Sequence, residues 1–240
     1  MNRRAVAVCA HPDDLEFFCG GAVTAMIVDG WEVSLVIATD GQKGAVDPAI
    51  SSEVLASQRR AEARDAAELL GLANVVFLGH EDGELRCTPD LRRELAGIYR
   101  RLCPDLLLTF DPWRRYELHP DHREIGFAAL DARLAAKLPL YFPEQLRDGL
   151  RTWAVTQLLL FNTDDPDDFM DITTTFDAKA AALRRHRSQW EAIWEETYRA
   201  LVEEATKMGA RAGFKYAEGF KRILIPGATV SSRFGAEKGD

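Results

Sequence analysis

No apolar run in the 240 residues is long enough to span a bilayer, which excludes a transmembrane helix. Met1-Asn2-Arg3-Arg4 leads into a brief apolar stretch with no small-residue cleavage pattern behind it, so a cytoplasmic location without a membrane partner is expected. Basic residues are in deficit, 30 against 38 acidic, and a net charge of −8 repels a phosphate backbone. A nucleic-acid partner is therefore not expected, although a local basic patch stays open. Cysteines number only 4, Cys9, Cys19, Cys87 and Cys103, with no Cys-x-x-Cys pair, and read as buried free thiols. No Gly-x-Gly-x-x-Gly follows the first apolar run, and Cys19-Gly20-Gly21 lacks that spacing, which weakens a nucleotide-site reading. Internal repeats and an interdomain linker are also missing.

What the chain does have is 47% hydrophobic residues, enough for a sizeable core, and residues 1–230 read as a single α/β domain with a polar 231–240 tail expected to fray. Val6 to Cys9, Val33 to Thr39, Val75 to Leu78 and Leu106 to Phe110 are short, nearly continuous apolar runs, as strands covered on both faces require. Between them Gly20 to Asp29, Ser52 to Leu70 and Asp90 to Leu102 carry apolar residues at helical spacing, with Gly71 placed as a C-cap. A further helix is expected over Asp121 to Lys137, then a proline-bearing loop Pro139 to Pro143 and a strand Val155 to Phe161. Thr163 to Asp168 reads as an acidic loop, Phe176 to Lys207 as one long or broken helix, and Tyr216 to Ile225 as a late strand or edge segment.

This alternation predicts a Rossmann-like, doubly wound, mostly parallel sheet of order 3-2-1-4-5, with helices on both faces and a C-terminal helical extension. In that order strands one and four are neighbours where the winding reverses, and ligands of such sheets bind at the carboxyl ends of the strands there. Ala10-His11-Pro12-Asp13-Asp14 follows strand one, and His119-Pro120-Asp121-His122 lies just beyond strand four. Either cluster alone could be a turn, a helix cap and a core histidine. Their joint position at the switch point favours one metal site.

His11 and Asp14, three apart in a strand-to-helix turn, can bite one ion, with His122 closing the set and a fourth position left for water. Asp13, beside that pair but pointing elsewhere, is placed as general base. His119 can bond a developing oxyanion or donate to a leaving nitrogen. Asp121 reads equally as a carboxylate that orients an imidazole and as a helix N-cap.

These motifs resemble the LmbE-like (PIG-L) family of metal-dependent N-deacetylases acting on N-acetylglucosaminyl conjugates, whose hallmarks are AHPDD and HPDH. Weaker matches run through Thr39-Asp40-Gly41-Gln42-Lys43-Gly44, Arg59-Arg60-Ala61-Glu62, Asp82-Gly83 and Asp171-Ile172-Thr173, then Lys179, His186, Ser188 and Gln189, to about Phe220. The resemblance implies zinc on His11, Asp14 and His122, Asp13 as base and His119 as the electrophilic or acid histidine; other divalent cations such as Fe2+ suit the same donors. It also implies that Arg59 holds sugar hydroxyls or a phosphate, where a solvated helix face would serve as well.

Asp82, at the same sheet edge, could accept from a sugar or serve a turn. Trp113, Arg114, Arg115 and Tyr116 form an aromatic and cationic rim before His119, suited to stacking a sugar with Trp113 and Arg115, or to packing and subunit contacts. Trp190 and Trp194 read as core or interface anchors, and His186 with Ser188 and Gln189 as structural support. The expected reaction is removal of acetate from an amino-sugar conjugate. Alternatives are an amidase on a larger thiol-sugar conjugate or antibiotic intermediate, a non-haem iron(II) oxygenase, and a non-catalytic sugar-binding module. Family likeness also suggests a homo-oligomer.

Overall fold

Val6-Ala7-Val8-Cys9 offers water no polar face, and the chain buries it centrally as β1 (Arg4–Cys9). The computed structural model describes residues 3–45 and 47–226; the 231–240 tail lies outside them. After β1 come α1 (Asp14–Val28), β2 (Glu32–Thr39), α2 (Ser52–Leu70), β3 (Asn74–His80), α3 (Pro89–Leu102) and β4 (Leu106–Phe110). Then follow α4 (Pro120–Lys137), α5 (Pro143–Arg147), β5 (Gln157–Phe161) and β6 (Asp168–Asp171). The chain continues through α6 (Phe176–Leu183), α7 (Arg187–Trp190), a 3-10 turn, α8 (Trp194–Ala212) and β7 (Ala217–Leu224).

The sheet runs β3-β2-β1-β4-β5-β7-β6. Its first five strands are parallel in the expected order, with Ala7 of β1 opposite Leu35 of β2 and Leu108 of β4. β1 and β4 are thus neighbours, and their carboxyl ends carry the two histidine motifs to one place.

The C-terminal part differs from expectation. Tyr216 to Ile225 supplies β7, which is internal rather than an edge, because it pairs antiparallel with both β5 and β6. The acidic loop ends in β6 itself, whose polar sequence Asp168-Phe169-Met170-Asp171 gives little strand signal. Phe176 to Lys207 is broken at Arg184–His186 and again at the 3-10 turn, and its last segment runs on to Ala212, where Gly213 caps it at φ 79°. A short helix, α5, occupies part of the stretch expected as loop.

α1 begins at Asp14, six residues ahead of the expected start, and bends at Cys19 (φ −144°, ψ 15°). The bend frees backbone groups that two buried side chains recover: Lys179 Nζ donates to Phe17 O at 2.7 Å, while Gly21 and Ala22 N–H donate to the Glu218 carboxylate at 3.1 and 2.7 Å. Lys179 and Glu218 also pair with each other. The polar pair therefore substitutes for helical hydrogen bonds, and Gly21 lets α1 close on Ile172, whose side chain would lie 2.8 Å from a Cβ there.

Arg100 does similar work at the end of α4. Fully buried, it donates to the carbonyls of Ala135, Ala136, Leu138, Tyr141 and Phe142. All four cysteines are free thiols, three of them buried. Among the described residues no helix is long and apolar enough to cross a membrane.

Candidate metal and catalytic site

His11 and Asp14 sit in the turn from β1 into α1, and His119 and His122 at the start of α4. Asp14 Oδ2 accepts the backbone N–H groups of Ala10 and His11 at 3.0 and 2.7 Å, which fixes the carboxylate and leaves Oδ1 to face the cavity. His122 Nε2 lies 3.5 Å from Asp14 Oδ1, and His11 Nδ1 lies 3.6 Å from Oδ2. The two contacts run to different oxygens of Asp14, and each is close to the roughly 3.3 Å that separates ligand atoms around a tetrahedral ion at 2.0–2.1 Å. His119 brings a third imidazole nitrogen within 4.8 Å of those of His11 and His122. Burial alone would raise the Asp14 pKa, but the charge of His122 and the bonds to both imidazoles hold it far below the carboxylate range.

The other edge of His11 meets carboxylates as well. Its Nε2 is 3.1 Å from Asp121 Oδ2 and 3.2 Å from Asp82 Oδ1. Asp121, fully buried, also accepts the N–H groups of Gly83 and Leu85 at 2.7 and 3.1 Å, so it is a buried acceptor beside His11 and not an N-cap; His119 holds that cap position. Asp82 is similarly held by Lys43 N–H at 3.0 Å, and despite burial its bonds with His11 bring its pKa down to about 2.

Asp13 has a left-handed backbone (φ 98°), a conformation that costs a non-glycine residue and that recurs at functional sites. Its carboxylate does not cap α1. Oδ1 accepts from Arg59 Nη2 at 3.2 Å and Oδ2 from Trp190 Nε1 at 3.0 Å. Burial raises its pKa, with the charge of Arg59 opposing. Burial, with the charges of His11 and His122, lowers that of His119.

Of the residues expected to meet a sugar, Arg59 and Asp82 line the cavity around His11, and Trp113 and Arg115 do not. Arg59 is only 4% exposed and donates to Pro12 O, Gly41 O and Asp13, so its guanidinium is committed to the protein. The Asp40-Gly41 turn exists to seat it: at φ 62°, a Cβ on Gly41 would lie 2.2 Å from Arg59 Nη1. Trp113 packs edge-on against Phe127 and is 63% exposed, and Arg115 is also exposed; neither lines the cavity around His11. That cavity, about 380 Å3, is walled by Phe17, Phe18, Gly44, Asp82, Gln189 and Trp190 around the His and Asp groups.

Sequence reasoning also passed over Glu117. Its Oε1 accepts the His119 N–H at 3.0 Å and lies 3.4 Å from His122 Nδ1, while Oε2 accepts from Arg114 and Asn162 at 2.9 and 2.7 Å. The signal was its place two residues before a histidine motif. Ser188 donates through N–H and Oγ to Glu62 at 2.9 and 2.6 Å, and buried His186 lies 3.4 Å from buried Glu16.

A mostly parallel α/β sheet with a His/Asp cluster at its switch point defines an α/β scaffold able to hold a metal, and comparison with known proteins specifies which. Residues 6–133 match the family described as PIG-L: GlcNAc-PI de-N-acetylase, and the chain belongs to that family of metal-dependent N-deacetylases. It is 33% identical to diacetylchitobiose deacetylase of Thermococcus kodakarensis over 94% of this chain and 84% of that protein. It superposes with a TM-score of 0.89 on N,N'-diacetylchitobiose deacetylase from Pyrococcus horikoshii, 33% identical, covering 95% of this chain and 88% of that one. It is also 27% identical to a 4-oxalmesaconate hydratase of Pseudomonas putida over 93% and 90% of the two chains.

Proposed function

We propose that this protein removes the N-acetyl group from an N-acetylglucosamine-type conjugate with zinc held by His11, Asp14 and His122, releasing acetate and a free amine. The observation that carries this reading is the convergence of those three side chains beside an independently held carboxylate, Asp13. A divalent cation there supplies positive charge that polarises an acetamide carbonyl and acidifies water.

The protein's own groups do the rest. Asp13 takes a proton from the attacking water through whichever lone pair Arg59 and Trp190 leave free. His119, on the cavity wall, donates to the developing oxyanion. The nitrogen leaves as an amine after receiving the proton that Asp13 collected. Asp121 fixes the His11 ring, and Asp82, on the cavity wall, accepts from a sugar hydroxyl. Phe17, Phe18 and Trp190 give a pyranose an apolar surface.

The test joins metal analysis to an acetate-release screen with N-acetylglucosamine, N,N'-diacetylchitobiose and N-acetylglucosaminyl conjugates. Equimolar acetate and amine, abolished by a chelator, restored by zinc and unaffected by removal of oxygen, is the expected result. No acetate from any of these, or hydration of 4-oxalmesaconate in its place, overturns the assignment.

A further inference from the structure

We propose that Trp190 is a positioning residue for the reaction: its indole N–H holds Asp13 Oδ2, so that the carboxylate keeps one orientation toward the attacking water. The inference rests on the deacetylase reading above, in which Asp13 is the base.

The geometry carries it in three parts. First, the contact is a hydrogen bond of ordinary length, 3.0 Å, from a neutral donor to a carboxylate, and it is matched on the other oxygen by Arg59 at 3.2 Å. With one donor on each oxygen, neither rotation about the Cβ–Cγ bond nor a flip of the carboxylate is free. Second, the indole is itself fixed. It stacks on Phe17 with ring centroids 5.5 Å apart and planes 19° apart, and both rings line the cavity. Third, a single helix sets both donors. Arg59 and Glu62 are three apart on α2; Arg59 reaches Asp13 directly, while Glu62 accepts Ser188 N–H and Oγ and so anchors the turn that carries Trp190.

This gives His186-Arg187-Ser188-Gln189-Trp190 a task that its composition does not disclose. The one-turn helix delivers an indole N–H to the site from the far end of the chain, 177 residues from Asp13.

The test is Trp190→Phe, which keeps an aromatic ring against Phe17 and loses the donor. Acetate release should fall about tenfold in kcat, the scale of one hydrogen bond to a charged group, with bound zinc unchanged and any loss of ring contact with the sugar showing in KM alone. Ser188→Ala, which removes the Oγ bond to Glu62 and that from Gln189 but leaves both donors to Asp13, should lower kcat in the same direction and by less. An activity-independent readout is the Trp190 indole N–H resonance, assigned by its loss in Trp190→Phe, which should move upfield in Asp13→Ala. Wild-type kcat in a zinc-loaded Trp190→Phe, or an indole resonance indifferent to Asp13→Ala, overturns the proposal. Absence of acetate release from the wild type strikes the deacetylase reading instead, and the resonance then still decides whether the indole holds Asp13.

Discussion

Asp121 Oδ2 stands 3.1 Å from His11 Nε2, with both of its oxygens already bonded to backbone N–H groups of the Gly83–Leu85 loop. The carboxylate cannot swing away, so His11 must keep Nε2 protonated and turn Nδ1 toward Asp14. Asp121→Asn should weaken zinc binding by about 10- to 100-fold while the fold persists. Competition with a chelator measures this without any assay of activity, and unaltered affinity would exclude the orienting role.

Asp13→Ala removes the proposed base but none of the proposed ligands. The variant should retain stoichiometric zinc and lose roughly a hundred- to ten-thousand-fold in kcat. Metal analysis and steady-state kinetics on one preparation separate this from loss of the ion, and near-wild-type turnover would remove Asp13 from the mechanism.

Glu117 joins the His119 backbone, His122 Nδ1, Arg114 and Asn162 through one carboxylate. Glu117→Gln keeps an acceptor but loses the charge, and should weaken zinc binding by less than Glu117→Ala. Wild-type affinity in Glu117→Gln would mean that the charge contributes nothing to His122, and equal losses in the two variants that the acceptor adds nothing beyond the charge.

His11 gives the site a pH dependence in the metal-free protein. Burial would lower its pKa, but the bonds to Asp121, Asp14 and Asp82 prevail and hold it well above the imidazole range. A pKa raised by folding contributes stability fully below the unfolded value of about 6.5, and that stability is lost as pH rises through the folded value. Melting temperature of the zinc-free protein should therefore fall above pH 6.5. Zinc must displace the same proton, so its apparent affinity should rise about tenfold per pH unit over that window. Melting scans from pH 6 to 9 with and without zinc would show both, and flat curves would contradict the charged state of His11.

Lys179 and Glu218, both about 95% buried, stand in for the hydrogen bonds that α1 lacks at its bend. Lys179→Met leaves a buried carboxylate unpaired and should destabilise the protein by about 3–5 kcal/mol, with part of the loss recovered when Glu218→Gln is added. Urea unfolding of the two variants and the wild type decides it; wild-type stability in Lys179→Met would show the pair to be dispensable.

The sequence by itself determined the parallel core and that the two histidine motifs meet at its switch point. Val6 to Cys9 and Leu106 to Phe110 are apolar on both faces, so they had to be central strands, and a motif at the end of each then had to meet the other. It also supplied the donor types, since two imidazole-carboxylate motifs that meet at the switch point are less readily read as turns and caps than either alone. Only the tertiary structure decided what depends on partners distant in the chain. β6 is too polar to announce itself and forms because β7 pairs with it. The start of α1 was hidden because its bend is stabilised by Lys179 and Glu218, more than 150 residues away. Arg59 and Trp190 carry no sign in their local sequence that both would be hydrogen-bonded to Asp13. Local pattern records which face of an element avoids water; it holds no record of which polar atom, folded in from the far end of the chain, satisfies a buried charge.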